Sequence, residues 1–180
     1  MKSTLRLPIL LSTFILPLSV QADENRFSGH RLGIGFANTV EVYNGTTYHG
    51  DSGLHLEYGY DFNHIVGLQV NRDTSGSNLG YGFNLDTVTW KVGADIGYAF
   101  NFTGWDLKPY GAIGLQHSNI DYSYKNQSHD TSSTSPYIGL GVRAHLDSGI
   151  YFDAKTNGFQ VDSPYDTDIG QASLSIGYKF

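Results

Sequence analysis

From about residue 28 to the C-terminus, apolar and polar side chains alternate with period two, and the alternation recurs in eight segments separated by turn-rich stretches. The second segment, 52–62, is the cleanest. Leu54, Leu56, Tyr58, Tyr60 and Phe62 alternate with Gly53, His55, Glu57, Gly59 and Asp61. The others fall at 28–42, 65–71, 86–100, 108–117, 136–146, 150–157 and 169–180. In the fourth, Val88, Trp90, Val92, Ala94 and Ile96 oppose Thr87, Thr89, Lys91, Gly93 and Asp95. In the sixth, Ile138, Leu140 and Val142 oppose Tyr137, Gly139, Gly141 and Arg143. Strict alternation over such lengths is the mark of β-strands with two unlike faces. No segment carries a helical period.

Alternation does not by itself say which face is outside. A soluble barrel with an apolar interior would show the same pattern. Three features favour an inverted one. The polar face is rich in mid-strand glycine (Gly33, Gly35, Gly59, Gly93, Gly97, Gly139, Gly141, Gly177). Glycine weakens a solvated strand but makes room for Arg, Lys and Tyr inside a narrow bore. The links also alternate in length: 61–64, 101–107 and 147–149 are short, whereas 43–51, 72–85, 118–135 and 158–168 are long and polar. Outer-membrane barrels join their strands in this way, with tight turns at one rim and long loops at the other. Finally, Tyr60, Phe62, Tyr98, Phe100, Tyr178 and Phe180 sit beside the short links. Taken as one strand, Trp90 to Phe100 spans roughly 25 Å along a tilted axis, the height between two aromatic girdles. The expectation is an all-β protein, an eight-stranded antiparallel up-and-down transmembrane β-barrel.

The N-terminus agrees with that destination. Lys2 and Arg6 precede an apolar run from Leu7 to Val20, and Val20-Gln21-Ala22 has the small residues of a cleavage site. This is the layout of an export signal, too short for a spanning helix. The predicted organisation is a signal peptide at 1–22 and a barrel domain at 23–180. Cleavage removes two basic and no acidic residues, so the formal charge goes from −6 to −8. An acidic chain without a basic patch is a poor nucleic-acid binder. There is no cysteine, which excludes disulfides, thiolate metal sites and a lipid anchor at the cleavage site.

The closing run Ala172-Ser-Leu-Ser-Ile-Gly-Tyr-Lys-Phe180 and the stretch Leu107-Lys-Pro-Tyr-Gly-Ala-Ile-Gly-Leu115 resemble the small outer-membrane barrels typified by the OmpA transmembrane domain, OmpX and Ail. The resemblance covers the whole mature chain. It implies that the terminal strand, with Tyr178 and Phe180, is a signal read by the outer-membrane assembly machinery. The run ending at Phe180 leads to the expectation that, unlike OmpA, this protein carries no periplasmic extension. The OmpX and Ail plan implies a surface adhesion or defence role, although one scaffold serves many functions.

The candidate chemistry is sparse. His117-Ser118-Asn119 is similar to the His-x-Ser-Asn stretch of the lipid A deacylases, but here His and Ser are adjacent, and strand neighbours face opposite sides. The seven histidines are scattered without metal-ligand spacing, Glu57, Asp61 and Asp95 are expected to be well separated, with no glycosidase pair, and Gly33-Ile-Gly35 is followed by no helix. The prediction is therefore no enzyme, no cofactor and no metal. A narrow pore and a lipid-modifying enzyme are the alternatives. Inward positions carry Arg31, Glu57, Lys91, Asp95, Arg143, Asp153 and Lys155, whose mixed signs predict ion pairs filling the lumen. The three-residue link 147–149 sets Arg143 opposite Asp153. Tyr43, Tyr48, Tyr122 and Tyr124, set among small polar residues, suit the long loops to adaptable contact. The predicted partners are outer-membrane lipid and lipopolysaccharide, the assembly machinery and a host or surface ligand of unknown identity. The barrel is expected to be a monomer.

Overall fold

A computed structural model describes residues 27–43, 46–80, 83–124, 127–161 and 167–180, so the predicted signal segment lies outside the described residues. Ten strands make one antiparallel sheet: β1 (Gly29–Tyr43), β2 (Thr46–His49), β3 (Gly53–Asp61), β4 (Val66–Gly80), β5 (Phe83–Gly97), β6 (Phe100–Phe102), β7 (Trp105–Tyr124), β8 (Gln127–Leu146), β9 (Ile150–Val161) and β10 (Thr167–Lys179). β2 pairs only with β1 and β6 only with β7. The remaining eight form the wall, each paired with its sequence neighbour. β10 closes the wall on β1, from Arg31↔Lys179 to Val42↔Asp168. The protein is an eight-stranded up-and-down barrel.

The faces run inside out relative to a soluble protein. Phe36 is 71% exposed and Ile138 and Leu140 are 69% exposed, whereas Arg31, Asp95 and Arg143 are fully buried. Burial of charge beneath an exposed apolar belt is stable only if lipid covers the belt.

The interior is packed by three tyrosines, Tyr110, Tyr137 and Tyr151, each within 4% of full burial. Glycines on facing strands make their space. A Cβ at Gly141 would overlap the Tyr110 ring, one at Gly177 the Tyr151 ring, and one at Gly59 the Arg31 guanidinium.

At the short-link rim, Asn63 Oδ1 accepts from the amides of Ile65 and Val66 at 2.8 and 2.9 Å, closing an Asx turn. Gly104 and Gly149 sit at φ +91° and +88°, which glycine adopts without strain, in the turns before β7 and β9.

Several predicted boundaries are corrected. Strand pairing runs on through most of what the alternation marks as loop: β4 continues to Gly80, β7 to Tyr124, β8 starts at Gln127 and β9 ends at Val161. Beyond the lipid band both faces of a strand meet water, so apolar alternation fades while backbone pairing persists. The fourth predicted segment is broken. β5 ends at Gly97, and Phe100 belongs to β6, so Trp90 and Phe100 do not share one continuous strand.

Space and not local conformation is what Gly141 provides, which separates two glycine substitutions. Gly141→Leu should destabilise the barrel by about 1–3 kcal/mol through overpacking against Tyr110. Gly158→Ala, where a Cβ meets nothing within 4 Å, should stay within about 0.5 kcal/mol. Urea titration of the detergent-refolded barrel, read by gel mobility of the folded form, measures both.

Candidate functional site

The lumen is where the described side chains concentrate charge. Strand parity aims Arg31 of β1 inward, and its guanidinium meets three carboxylates. Nη1 donates to Glu57 Oε1 at 3.0 Å, Nη2 to Asp95 Oδ2 at 3.2 Å, and Nε lies 3.1 Å from Asp61 Oδ2. Glu57 and Asp61, four residues apart on β3, and Asp95 on β5 therefore converge on one cation, which corrects the expectation that the three are well separated. Lys108 reaches Asp95 Oδ1 at 2.6 Å and Lys179 reaches Asp61 Oδ2 at 3.2 Å.

Arg143 faces Asp153 across β8 and β9, and its Nε donates to Asp153 Oδ2 at 2.7 Å. The Tyr110 hydroxyl donates to Asp153 Oδ1 at 2.7 Å, and the Arg143 guanidinium lies 4.7 Å from the Tyr110 ring centroid. Further toward the long-loop rim, Lys155 donates to Glu57 Oε2 at 2.5 Å and to Asn71 Oδ1 at 3.0 Å. Lys91 binds Asp73 Oδ2 at 2.9 Å and also Gln171, and His55 pairs with Asp73 through Nδ1. All seven predicted lumen charges are buried; six of them are linked through contacts with one another, and Lys91 pairs instead with Asp73 and Gln171.

Several links cross the bore: Arg31–Asp95 joins β1 to β5, Lys155–Glu57 joins β9 to β3, and Lys91–Gln171 joins β5 to β10. Isolated buried charges are expensive, and mutual pairing is what makes these affordable.

The sequence reading left His55, Asp61, Asp73, Lys108 and Lys179 out of the lumen set. Parity carried the signal for four of them, since they share the inward face of strands already recognised. Asp73 was hidden because its strand was ended at residue 71.

His117 and Ser118 face opposite sides of the wall. His117 is exposed and its Nδ1 lies 2.7 Å from Thr134 Oγ1, while Ser118 is buried 3.0 Å from Thr89 Oγ1. No nucleophile–base pair forms between them. Tyr178 and Phe180 are exposed on the lipid side, and Phe180 closes the seam by exchanging backbone bonds with His30 at 2.8 and 2.9 Å. The side chains of Tyr43, Tyr48, Tyr122 and Tyr124 lie outside the described set.

Because Arg143 and Asp153 neutralise one another while both are buried, Arg143→Met should cost about 3–5 kcal/mol. The double variant with Asp153→Leu should recover more than half of that, short of all because Tyr110 loses its acceptor. A double-mutant cycle in urea checks this, and equal losses in single and double variants would contradict it.

Known proteins share this architecture. The chain is 28% identical over 189 residues to the attachment invasion locus protein of Yersinia enterocolitica, covering 100% of both. It superposes on the crystal structure of Ail, the attachment invasion locus protein of Yersinia pestis, with TM-score 0.63 and 25% identity, covering 84% of this chain and 99% of that one. Neisserial surface protein A matches with TM-score 0.69 at 16% identity, covering 85% and 98%, a likeness of fold. The model of the outer membrane protein beta-barrel domain matches residues 9–180, and with lipid-facing apolar residues around a closed wall the chain belongs to that family, as an integral protein of the bacterial outer membrane.

Proposed function

We propose that this protein is a surface-contact barrel: a wall closed to bulk solute that holds paired strands above the outer leaflet for contact with molecules outside the cell. The observation that carries it is the length of β7 and β8. Each has 20 residues, roughly 65 Å of strand and about 50 Å of height at a tilt near 40°, against an apolar band of about 25 Å. On β7 the last large apolar outward residue is Leu115, and the outward positions after it are His117, Asn119 and Asp121. The hairpin therefore projects well beyond the lipid. A strand pair of that height is more than anchoring requires, and the 9 residues of β3 span the band unaided. The name of the Yersinia enterocolitica relative, an attachment and invasion protein, supports the same reading.

The cross-bore ion pairs support a side-chain-filled lumen, and the separation of His117 from Ser118 supports a non-enzymatic role. The protein works as a monomer after removal of residues 1–22. Tyr178 and Phe180 end the strand that the assembly machinery reads. The ligand is a host or surface molecule, and lipopolysaccharide surrounds the wall.

Replacing Asn119–Ser132 by a short turn should leave the amount of protein in the outer membrane unchanged and sharply lower binding of intact cells to immobilised matrix or serum proteins. Undiminished binding would count against the surface-contact reading. Deleting Phe180 should reduce outer-membrane levels in cells while refolding into detergent survives, since the β1–β10 ladder from Arg31↔Lys179 to Val42↔Asp168 still holds the seam without it; immunoblots of membrane fractions test this.

A further inference from the structure

The lipid-facing wall is not evenly convex. Between β1 and β8 it carries a groove of about 640 Å³, floored by Ala154 and Thr156 of β9 and Ala172 of β10 and walled by Phe36, Leu140 and Leu174. The walls stand proud, with Phe36 71%, Leu140 69% and Leu174 67% exposed. The groove follows two rungs of facing residues, Asn38↔Ala172↔Thr156↔Leu140 and Phe36↔Leu174↔Ala154↔Val142. On the next outward rung Gly170 faces Gly158. A Cβ at Gly158 would meet nothing within 4 Å, and one at Gly170 only the Val40 carbonyl at 3.8 Å. Unlike Gly141 and Gly177, these glycines make room for no side chain of the protein.

The register says which end of the groove is up. Followed from strand to strand in chain order, facing positions that start at Arg31 return to β1 at Glu41, nearer the long-loop rim. Each rung therefore climbs from β8 through β9 and β10 to β1. Leu140 and Val142 mark the deep end, and Asn38 and Ser52 the outer end. Asn38 lies roughly 23 Å above Gly29 at a tilt near 40°, close to the top of an apolar band of about 25 Å. Its Nδ2 donates to Ser52 Oγ at 3.3 Å, so the Ser52 hydroxyl can itself donate outward.

Polar at the outer end and apolar at the deep end is the polarity of a membrane lipid. Three strand spacings make about 14 Å, and one leaflet of hydrocarbon is about 15 Å deep, so the groove has the length of one acyl chain. A chain lying in it touches protein on its floor and both sides, whereas a convex wall offers one side, and dispersion favours the closer fit. The basic residues of these four strands, Arg31, Arg143, Lys155 and Lys179, all turn into the lumen. The outer end therefore offers neutral hydrogen bonds, suited to an ester carbonyl, and no cation for a phosphate. A second barrel would ride with its convex wall on Phe36 and Leu140 and leave the floor unfilled.

We infer that this groove is a fixed seat for one ester-linked acyl chain of an outer-leaflet lipid, with the ester at Asn38 and Ser52 and the chain end at Val142. The seat goes beyond the surface-contact function and does not depend on it.

The test uses the full mature barrel in nanodiscs of dimyristoyl phosphatidylcholine. Native mass spectrometry counts the lipid that survives release, and NMR with spin-labelled phosphatidylcholine locates its chain. The unaltered barrel should keep one lipid. Ala172→Phe fills the floor from an outward position and should keep it at least about fivefold less. Val92→Phe, outward on β5, should keep it undiminished. Added dimyristoylglycerol should be retained like the phosphatidylcholine, and myristic acid should be lost, because its carboxylate finds no cation there. A label at the chain end should broaden the Val142 methyl signals, and one beside the ester the Asn38 side-chain amide. Asn38→Ala combined with Ser52→Ala leaves the groove open and should lower retention while the gel mobility of the folded form stays the same. Unchanged retention in Ala172→Phe or in the double variant overturns the inference. So do retention of myristic acid, a dimer in place of the bound lipid, and equal broadening of the Val92 methyls, which annular lipid alone would give.

Discussion

Hydrocarbon offers no hydrogen bonds, so every backbone N–H and C=O inside a membrane must be satisfied by the protein itself. This chain meets that demand by pairing β10 with β1 through an unbroken ladder, sealed at the short-link rim by Phe180 and His30. With the edge removed there, the wall can be as short as β3 and still be complete. The apolar outer belt follows from the same demand, because a closed ladder exposes only side chains to lipid.

Closing on only eight strands makes the bore narrow, and the interior chemistry follows from that. Tyr110, Tyr137 and Tyr151 fit because Gly141, Gly93 and Gly177 yield their side-chain volume. Arg31 serves three carboxylates and Glu57 takes Arg31, Lys155 and the Tyr151 hydroxyl, so donors and acceptors are shared across the lumen. Such networks are costly to break singly, which makes the interior resist rearrangement more than it adds net stability.

Where lipid ends, the demand lapses and the wall loses its symmetry. β3 stops at the band, β9 leaves β8 at Tyr137, and β7 and β8 run furthest, with β4 and β5 on one side. In water an unpaired edge is solvated and survivable. The same ladder therefore anchors the protein and reaches away from it.

The amino-acid order alone determined the period, the face and the number of strands, because lipid and lumen impose opposite chemistry on successive residues and that contrast is written locally. It also determined the Arg143–Asp153 facing, since three residues between two strands leave little freedom of register. Strand length above the membrane was not legible: Ser128–Ser135 reads as loop, yet pairs rung by rung with β7, because hydrogen bonding between backbones is indifferent to polar side chains there. The partners across the lumen were decided by the closed wall. Arg31 meets Asp95 and Lys155 meets Glu57 only because strand tilt and stagger bring inward positions of non-neighbouring strands to one height, and nothing local in the chain encodes that height.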